Sequence, residues 1–352
     1  MTTTTTEAAA PVQRVRPVGP PAFPHFSHVH LNTPDLEASV DFFVNVLGLY
    51  ETERDEKNVY LRCWGEWAHH SVILSQAAQP GLVRAGFLVE HPSHLKGYAE
   101  QLRKDGIEVT EVSAGEVRGQ GDSIRFKGVG GQEYELATKI DRISRPANHS
   151  RVMDRPLPYP GNSGATPRRL HHINILVPSV AETRQWAQDA LGMKNTLVVR
   201  GADGFEPICT LTSTVDLHEI AVSFDPFSSE GRLHHIALWY DGMGDIVSAA
   251  EILAEHGVKA EAGLGKHGGG ENWFYYVREP GGNRIELFAG GYQVLDLDPT
   301  IPDVTVWDLD QADDALVWIG QPMTPNFLTD GTPHVEHASQ DEPDAEHLTR
   351  IM

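Results

Sequence analysis

Apolar and polar positions along the 352 residues fall into four similar blocks. Each block opens on a short apolar strand, passes a turn, and enters a helix-length stretch with apolar residues every three or four positions. The stretches 35–47, 93–105, 179–191 and 244–256 are each followed at once by glycine, at Gly48, Gly106, Gly192 and Gly257. Glycine past a helix end is a stop signal, because it accepts positive φ without strain. In the last stretch Ile246, Val247, Ala250 and Leu253 fall on one face. Two or three strand-like runs follow each helix. The pattern therefore predicts an α+β fold of four βαβββ modules.

The blocks also repeat in pairs. "FSHVHLNTPDLEASVDFFVNVLGLYETE" (26–53) matches "LHHINILVPSVAETRQWAQDALGMKNT" (170–196), and "SIRFKGVGGQEYELA" (123–137) matches "FYYVREPGGNRIELF" (274–288). The halves read as duplicates of roughly 120 residues, long enough for two domains, each with its own core. One module alone leaves a sheet face bare. Pairing two curls their strands into a cup, where inward side chains converge. The predicted organisation is a flexible arm at 1–24, an N-terminal two-module domain at 25–143, and a Pro/Gly-rich linker at 144–167. A C-terminal domain at 168–295, a lid at 296–322 and an acidic, flexible tail at 323–352 follow.

Composition narrows the function classes. No apolar run approaches the ~18–20 residues of a membrane span, and the first residues lack the apolar core of a signal peptide. A net charge of −21 without a basic cluster argues against nucleic acid or an anionic membrane as partner. Cys63 and Cys209 stand in separate halves and outside any CxxC pair, so a reducing, cytoplasmic home is expected and a zinc–thiolate site is not.

The chemistry gathers on a repeated phrase, "RRLHHINILVP" (168–178) and "GRLHHIALWY" (231–240). The repeat registers His172, His235 and Glu286 as inward positions of the C-terminal cup. In the N-terminal half it registers His28, Ala85 and Glu135, so only the C-terminal half keeps the full set. The second histidine of each pair is chosen because it matches His28. His171 and His234 are then expected to point away from the cup. Any one of these histidines alone reads as an ordinary strand-end residue; three positions registered by a repeat do not. Two histidines and one carboxylate beside open positions suit a non-haem Fe(II) oxygenase, and by chemistry alone the same ligands also suit zinc.

At these residues the chain resembles the type I extradiol ring-cleaving (catechol 2,3-) dioxygenases of the vicinal oxygen chelate superfamily, from about Phe26 to Asp310. The most specific stretch is "GKHGGGENWFYYVREPGGNRIELF" (265–288); it departs from the family's usual pattern at Tyr275. The resemblance implies Fe(II), or Mn(II) on the same ligands, held by His172, His235 and Glu286, with O2 as cosubstrate. It implies an acid/base role for His218, in "VDLHEIAVSF", and a substrate-oxygen role for His267 and Tyr276, with Asn174 as a further pocket residue. It also implies a homotetramer or homodimer. Family members that take carboxylate-bearing catechols use pocket arginines. Here Ala262 stands at one such place, and the lid "VTVWDLDQADDALVWIGQP" (304–322) holds acids and apolar residues instead. A buried carboxylate without a cation is costly, so a neutral catechol is expected, with Leu316, Val317 and Trp318 as lid contacts. Arg200 is the residue whose arrival in the pocket would change that. A 4-hydroxyphenylpyruvate-type dioxygenase, a Zn/Ni glyoxalase-like isomerase and a small-molecule binding protein are the alternatives.

Overall fold

The computed structural model describes residues 24–143, 164–294 and 305–335. The expected arm (except Pro24), most of the linker, the start of the lid and the end of the tail lie outside these. The first module is β1 (His25–Thr33), α1 (Leu36–Asp41), β2 (Tyr50–Arg54), β3 (Asn58–Arg62) and β4 (Val72–Gln76). The second is β5 (Gly81–Leu88), α2 (His94–Lys104), β6 (Val109–Val112), β7 (Ser123–Lys127) and β8 (Glu133–Ala137). The third is β9 (Arg169–Val177), α3 (Val180–Leu191), β10 (Lys194–Arg200), β11 (Ile208–Thr212) and β12 (Ile220–Phe224). The fourth is β13 (Arg232–Trp239), α4 (Met243–Glu255), β14 (Ala262–Lys266), β15 (Asn272–Arg278) and β16 (Arg284–Gly290).

Each module is βαβββ, as the apolar pattern predicts, and local chemistry sets the helix ends. Asp35 accepts the Ala38 N–H at the start of α1, and Ser179 accepts the Glu182 N–H at the start of α3. The four closing glycines all take positive φ: 79° at Gly48, 80° at Gly106, 66° at Gly192 and 75° at Gly257. The first helix departs from expectation by loosening into a π-helical stretch over Phe42–Val46, which turns Phe42, Phe43 and Val46 into the core.

Two modules share each sheet. The N-terminal sheet runs β2-β3-β4-β1-β5-β8-β7-β6, and the C-terminal one runs β14-β15-β16-β13-β9-β12-β11-β10 with β17 (Thr305–Asp308) added beyond β10. Modules meet through their first strands, β1 antiparallel to β5 and β9 antiparallel to β13. The lid segment thus enters the sheet through β17, parallel to β10, before α5 (Ala312–Leu316). Instead of two separate cores, a single apolar cluster joins residues of both halves, including Val29, Phe87 and Tyr134 with Ile173, Ile236 and Leu287. Ser39 Oγ donates to Glu279 at 2.6 Å and Gln132 Nε2 donates to the Leu176 carbonyl at 3.0 Å, so polar contacts also lock one half to the other.

Bulges in the central ladders decide which side chains face the cups. In the β9–β13 ladder His171 and His234 each lack an opposite residue; in β1–β5 the same places are held by Ser27 and Val83. One extra residue flips the alternation that follows it. The register therefore corrects the repeat alignment. Ala237 stands opposite both His172 and Glu286, and Gly86 stands opposite both His28 and Glu135. Two residues before each, His235 faces Asn174 and Arg84 faces His30. Arg84, not Ala85, is the counterpart of His235; Ala85 is fully buried on the other face, within the core.

Candidate active site

Four strands bring one row of side chains together: His172 on β9, Ala237 on β13, Glu286 on β16 and Tyr276 on β15 are successive neighbours. The methyl of Ala237 leaves space between His172 and Glu286, and His235 projects from the same strand face two residues earlier. His172 Nε2 and His235 Nε2 lie 3.2 Å apart, and each is 3.1 Å from Glu286 Oε2. Three cis ligands about 2.1 Å from a metal are about 3.0 Å apart, so these edges fit one face of a six-coordinate ion. Among the described residues this is the one His/Cys/Asp/Glu cluster with such spacing. Burial raises the Glu286 carboxyl, but hydrogen bonds and charge from His172 and His235 outweigh it and hold the group well below its ordinary range. Burial lowers His235 to about 4, against the opposing pull of Glu286. Both groups are thus in their ligand forms at neutral pH. Glu286 Oε1 is buried, 3.9 Å from His267 Nε2.

The remaining polar residues surround this cluster. The ring of His218 lies 4.0 Å from that of His172, its Nδ1 is buried and unpartnered, and burial holds its pKa well below 6.5. His267 stands on the far side, with Nδ1 donating to the Leu316 carbonyl and Nε2 3.2 Å from the Tyr276 hydroxyl. That hydroxyl is kept protonated by burial and by the Glu286 charge, so it is a donor. Asn174 accepts from Ser223 Oγ at 3.0 Å and lines the same space.

The space is a cavity that His172, His235, Glu286, His218, His267, Tyr276 and Asn174 share with a mainly apolar wall. Leu197, Ile208, Ala315 and Leu316 form part of that wall, and no described lining residue is Arg or Lys. Arg200 is bound to Glu206 at 2.7 Å instead, and Ala262 packs behind Tyr276 and Phe327. The lid contacts divide. Leu316 faces the cavity, Val317 packs against Phe274 and Tyr276 outside it, and Trp318 is 63% exposed. Trp318 is therefore corrected to a surface residue, because backbone bonds from Trp318 and Ile319 to the Lys266 carbonyl turn its side chain outward.

Residues 323–335 are a second correction. In place of a flexible tail, α6 (Pro325–Thr329) brings Met323, Phe327 and Leu328 into the cavity wall. Two buried arginines hold it: Arg232 donates to the Thr329 and Gly331 carbonyls, and Arg284 donates to the Asp330 carbonyl. The Arg284 guanidinium also lies over the Phe327 ring, 4.2 Å from its centre. Those partners are distant in the sequence, and the acidic, proline-broken composition of the tail concealed them. His171 and His234, expected to point away from the cup, are buried beside the metal-facing histidines. Bulges, which carry no sequence signature here, account for that difference.

Family models match residues 169–287, as the Glyoxalase/Bleomycin resistance protein/Dioxygenase superfamily, and residues 85–139, as the catechol 2,3-dioxygenase-like N-terminal domain. The manganese-dependent 2,3-dihydroxybiphenyl 1,2-dioxygenase of Geobacillus genomosp. 3 is 34% identical over 87% of this chain and 97% of that protein. A metapyrocatechase of Geobacillus stearothermophilus is 31% identical over 87% of this chain and 93% of that one. The chain belongs to the extradiol ring-cleaving dioxygenases. A homoprotocatechuate 2,3-dioxygenase variant from B. fuscum shares the fold, with a TM-score of 0.80 at 24% identity, covering 91% of this chain and 85% of that one.

The N-terminal cup of this dioxygenase repeats the arrangement with different charges. His28, His70 and Glu135 stand where His172, His218 and Glu286 stand in the other cup, by the pairing of β1 with β4 and of β5 with β8. Arg84 replaces His235, and Arg125 replaces Tyr276 as the neighbour of the glutamate. Arg125 Nε donates to Glu135 at 2.9 Å and Ser123 Oγ donates to the same oxygen at 2.7 Å. A fixed guanidinium thus supplies the positive charge beside Glu135. Gly86 makes room for the His28 ring, since a Cβ there would sit 2.0 Å from it.

Proposed function

We propose that this dioxygenase cleaves a neutral, alkyl- or aryl-substituted catechol with O2 to a 2-hydroxymuconic semialdehyde-type product, in the catabolism of aromatic compounds. The observation that carries this reading is one three-ligand cluster opening into an apolar cavity lined by no Arg or Lys among the described residues. His172, His235 and Glu286 hold a divalent ion. When bound, such an ion would supply Lewis acidity that favours proton loss from the catechol, and open coordination positions.

The chain's own residues do the rest. Tyr276, kept protonated, gives its O–H to the lone pair of His267 Nε2 in the free protein, and would turn it to the substrate oxygen that loses its proton. His218 is neutral and has an unpartnered nitrogen, so it is placed to receive or return a proton on the His172 side of the cluster. Asn174, pinned by Ser223, contributes a polar edge, and Leu316 and Phe327 shape the apolar end. Fe(II) and Mn(II) both suit this donor set. The manganese dependence in the name of one relative makes Mn(II) the ion to test beside Fe(II). The family resemblance supports a homotetramer or homodimer, and the unpaired Cys63 and Cys209 support a reducing, cytoplasmic location.

The reading is tested by reconstituting the metal-free protein anaerobically with Fe(II) or Mn(II). Oxygen uptake and product absorbance are then followed with catechol, 3-methylcatechol, 2,3-dihydroxybiphenyl and homoprotocatechuate. A neutral catechol is expected to exceed the acid in kcat/KM by at least about tenfold, because a carboxylate desolvated without a cation loses several kcal/mol. The reverse order refutes the substrate class. Metal binding without oxygen uptake on any catechol refutes the reaction.

A further inference from the structure

Each Leu-His-His phrase sets a second imidazole against a metal-facing one. His171 Nδ1 lies 2.7 Å from His172 Nδ1, and His234 Nδ1 lies 2.6 Å from His235 Nδ1. Both leading histidines are the unopposed residues of β-bulges, and all four rings are buried. Regular alternation would have sent the leading rings to the other face. The bulges turn them back.

On the His234 side the geometry fixes the direction of the hydrogen bonds. His234 Nε2 lies 2.9 Å from the Phe327 carbonyl oxygen, which only accepts, so Nε2 carries a proton. The two Nδ1 atoms are 2.6 Å apart, so one donates and the other accepts, and a ring whose single proton is on Nε2 is the acceptor. Its Nδ1 is therefore a lone pair, and that lone pair accepts the Nδ1–H of His235. His235 is left with its lone pair on Nε2, the atom facing His172 and Glu286. A metal needs the lone pair on that nitrogen.

The N-terminal repeat is an internal control. Its bulge residue Ser27 holds Oγ 2.9 Å from His28 Nδ1, making the same contact with a different side chain. At the fourth bulge Val83 has no polar side-chain atom, and the residue after it is Arg84 instead of a histidine. Wherever a histidine occupies a ligand position, the bulge residue before it reaches its Nδ1.

We propose that His234 and His171 are positioning residues for the metal centre, each fixing which ring nitrogen of the following histidine is free for the ion. For His235 the chain of hydrogen bonds ends on the Phe327 backbone, so docking of residues 323–335 and metal binding support one another. This rests on the metal-centre reading above. Partners at the outer nitrogen of a ligand histidine are worth about 10–100-fold in metal affinity.

The test uses the full-length, metal-free protein titrated with Mn(II), and with Fe(II) anaerobically, reading bound metal and amide hydrogen exchange over 325–331. The H234F variant is expected to lose 10–100-fold in affinity, while H234N, whose Oδ1 can accept from His235, stays within about threefold of wild type. Metal is expected to slow exchange over 325–331 in the wild type. Wild-type affinity in a folded H234F refutes the proposal. So does an equal loss in H234N and H234F, which would assign the effect to packing. Should H234F not fold, H234N affinity and the exchange measurement decide: a large loss in H234N or unchanged exchange overturns it. A wild type that binds no metal refutes the centre itself, a separate result.

Discussion

Leu316 and Trp318 are two residues apart and meet opposite surroundings, one lining the cavity and the other in solvent. Composition alone could not separate them, because both are large apolar residues of one short lid. Their difference predicts a difference in binding. Leu316→Ala is expected to raise KM for an aryl-substituted catechol by about tenfold, since lost apolar contact in a pocket is worth about 1–3 kcal/mol. Trp318→Ala is expected to leave KM within about twofold. Steady-state kinetics on both variants check this, and equal effects would remove the basis for placing the lid wall at Leu316. The same residue-level reading explains the misassigned Ala85. Matching letters across the repeat gave a spacing that was off by one residue, and in a strand one residue is the opposite face.

Elements depend on partners that lie far along the chain. The segment 323–335 is seated by Arg232 and Arg284, and Arg232 is itself held by both oxygens of Asp225, at 2.7 and 2.9 Å, fully inside the protein. Removing the carboxylate strands a buried guanidinium. Asp225→Ala is therefore expected to cost about 3–5 kcal/mol in urea denaturation. It should also speed amide exchange over 325–331 before exchange elsewhere in the sheet changes. Loss of stability with unchanged exchange in that segment would show that Arg232 does not seat it. Helix ends, by contrast, were legible. A capping Asp35 or Ser179 and a closing glycine act through neighbours a few residues away, and the structure has those ends where the pattern put them.

For the whole molecule, burying histidines in both cups makes stability depend on pH. In the N-terminal cup, away from the metal cluster, burial and the nearby Arg84 charge lower His30 to about 3; burial and the neighbouring histidines hold His70 well below 6.5. A histidine whose folded pKa is depressed contributes stability that is present above its unfolded value of about 6.5 and is lost as pH falls below it. The metal-free protein should therefore weaken between pH 7 and pH 5, by up to about 1.4 kcal/mol per pH unit for each such group. His70→Gln should flatten the slope. Urea midpoints across that range provide the check, and a flat profile in the wild type would contradict the burial.

The sequence by itself determined the four modules, their duplication, the helix boundaries and the residue types of the metal cluster. Those features rest on short-range periodicity, capping and turn preferences, and on a repeat that can be compared with itself. Tertiary structure alone decided that the two halves share one core, that Arg84 stands where a ligand would, and that both leading histidines turn inward. It also decided that residues 323–329 form part of the cavity wall. Each of these is set by strand register, by bulges or by a buried arginine reaching across the fold. Register is a relation between two strands, and a buried ion contact is a relation between distant residues. Neither leaves a local periodicity that one strand's letters would show.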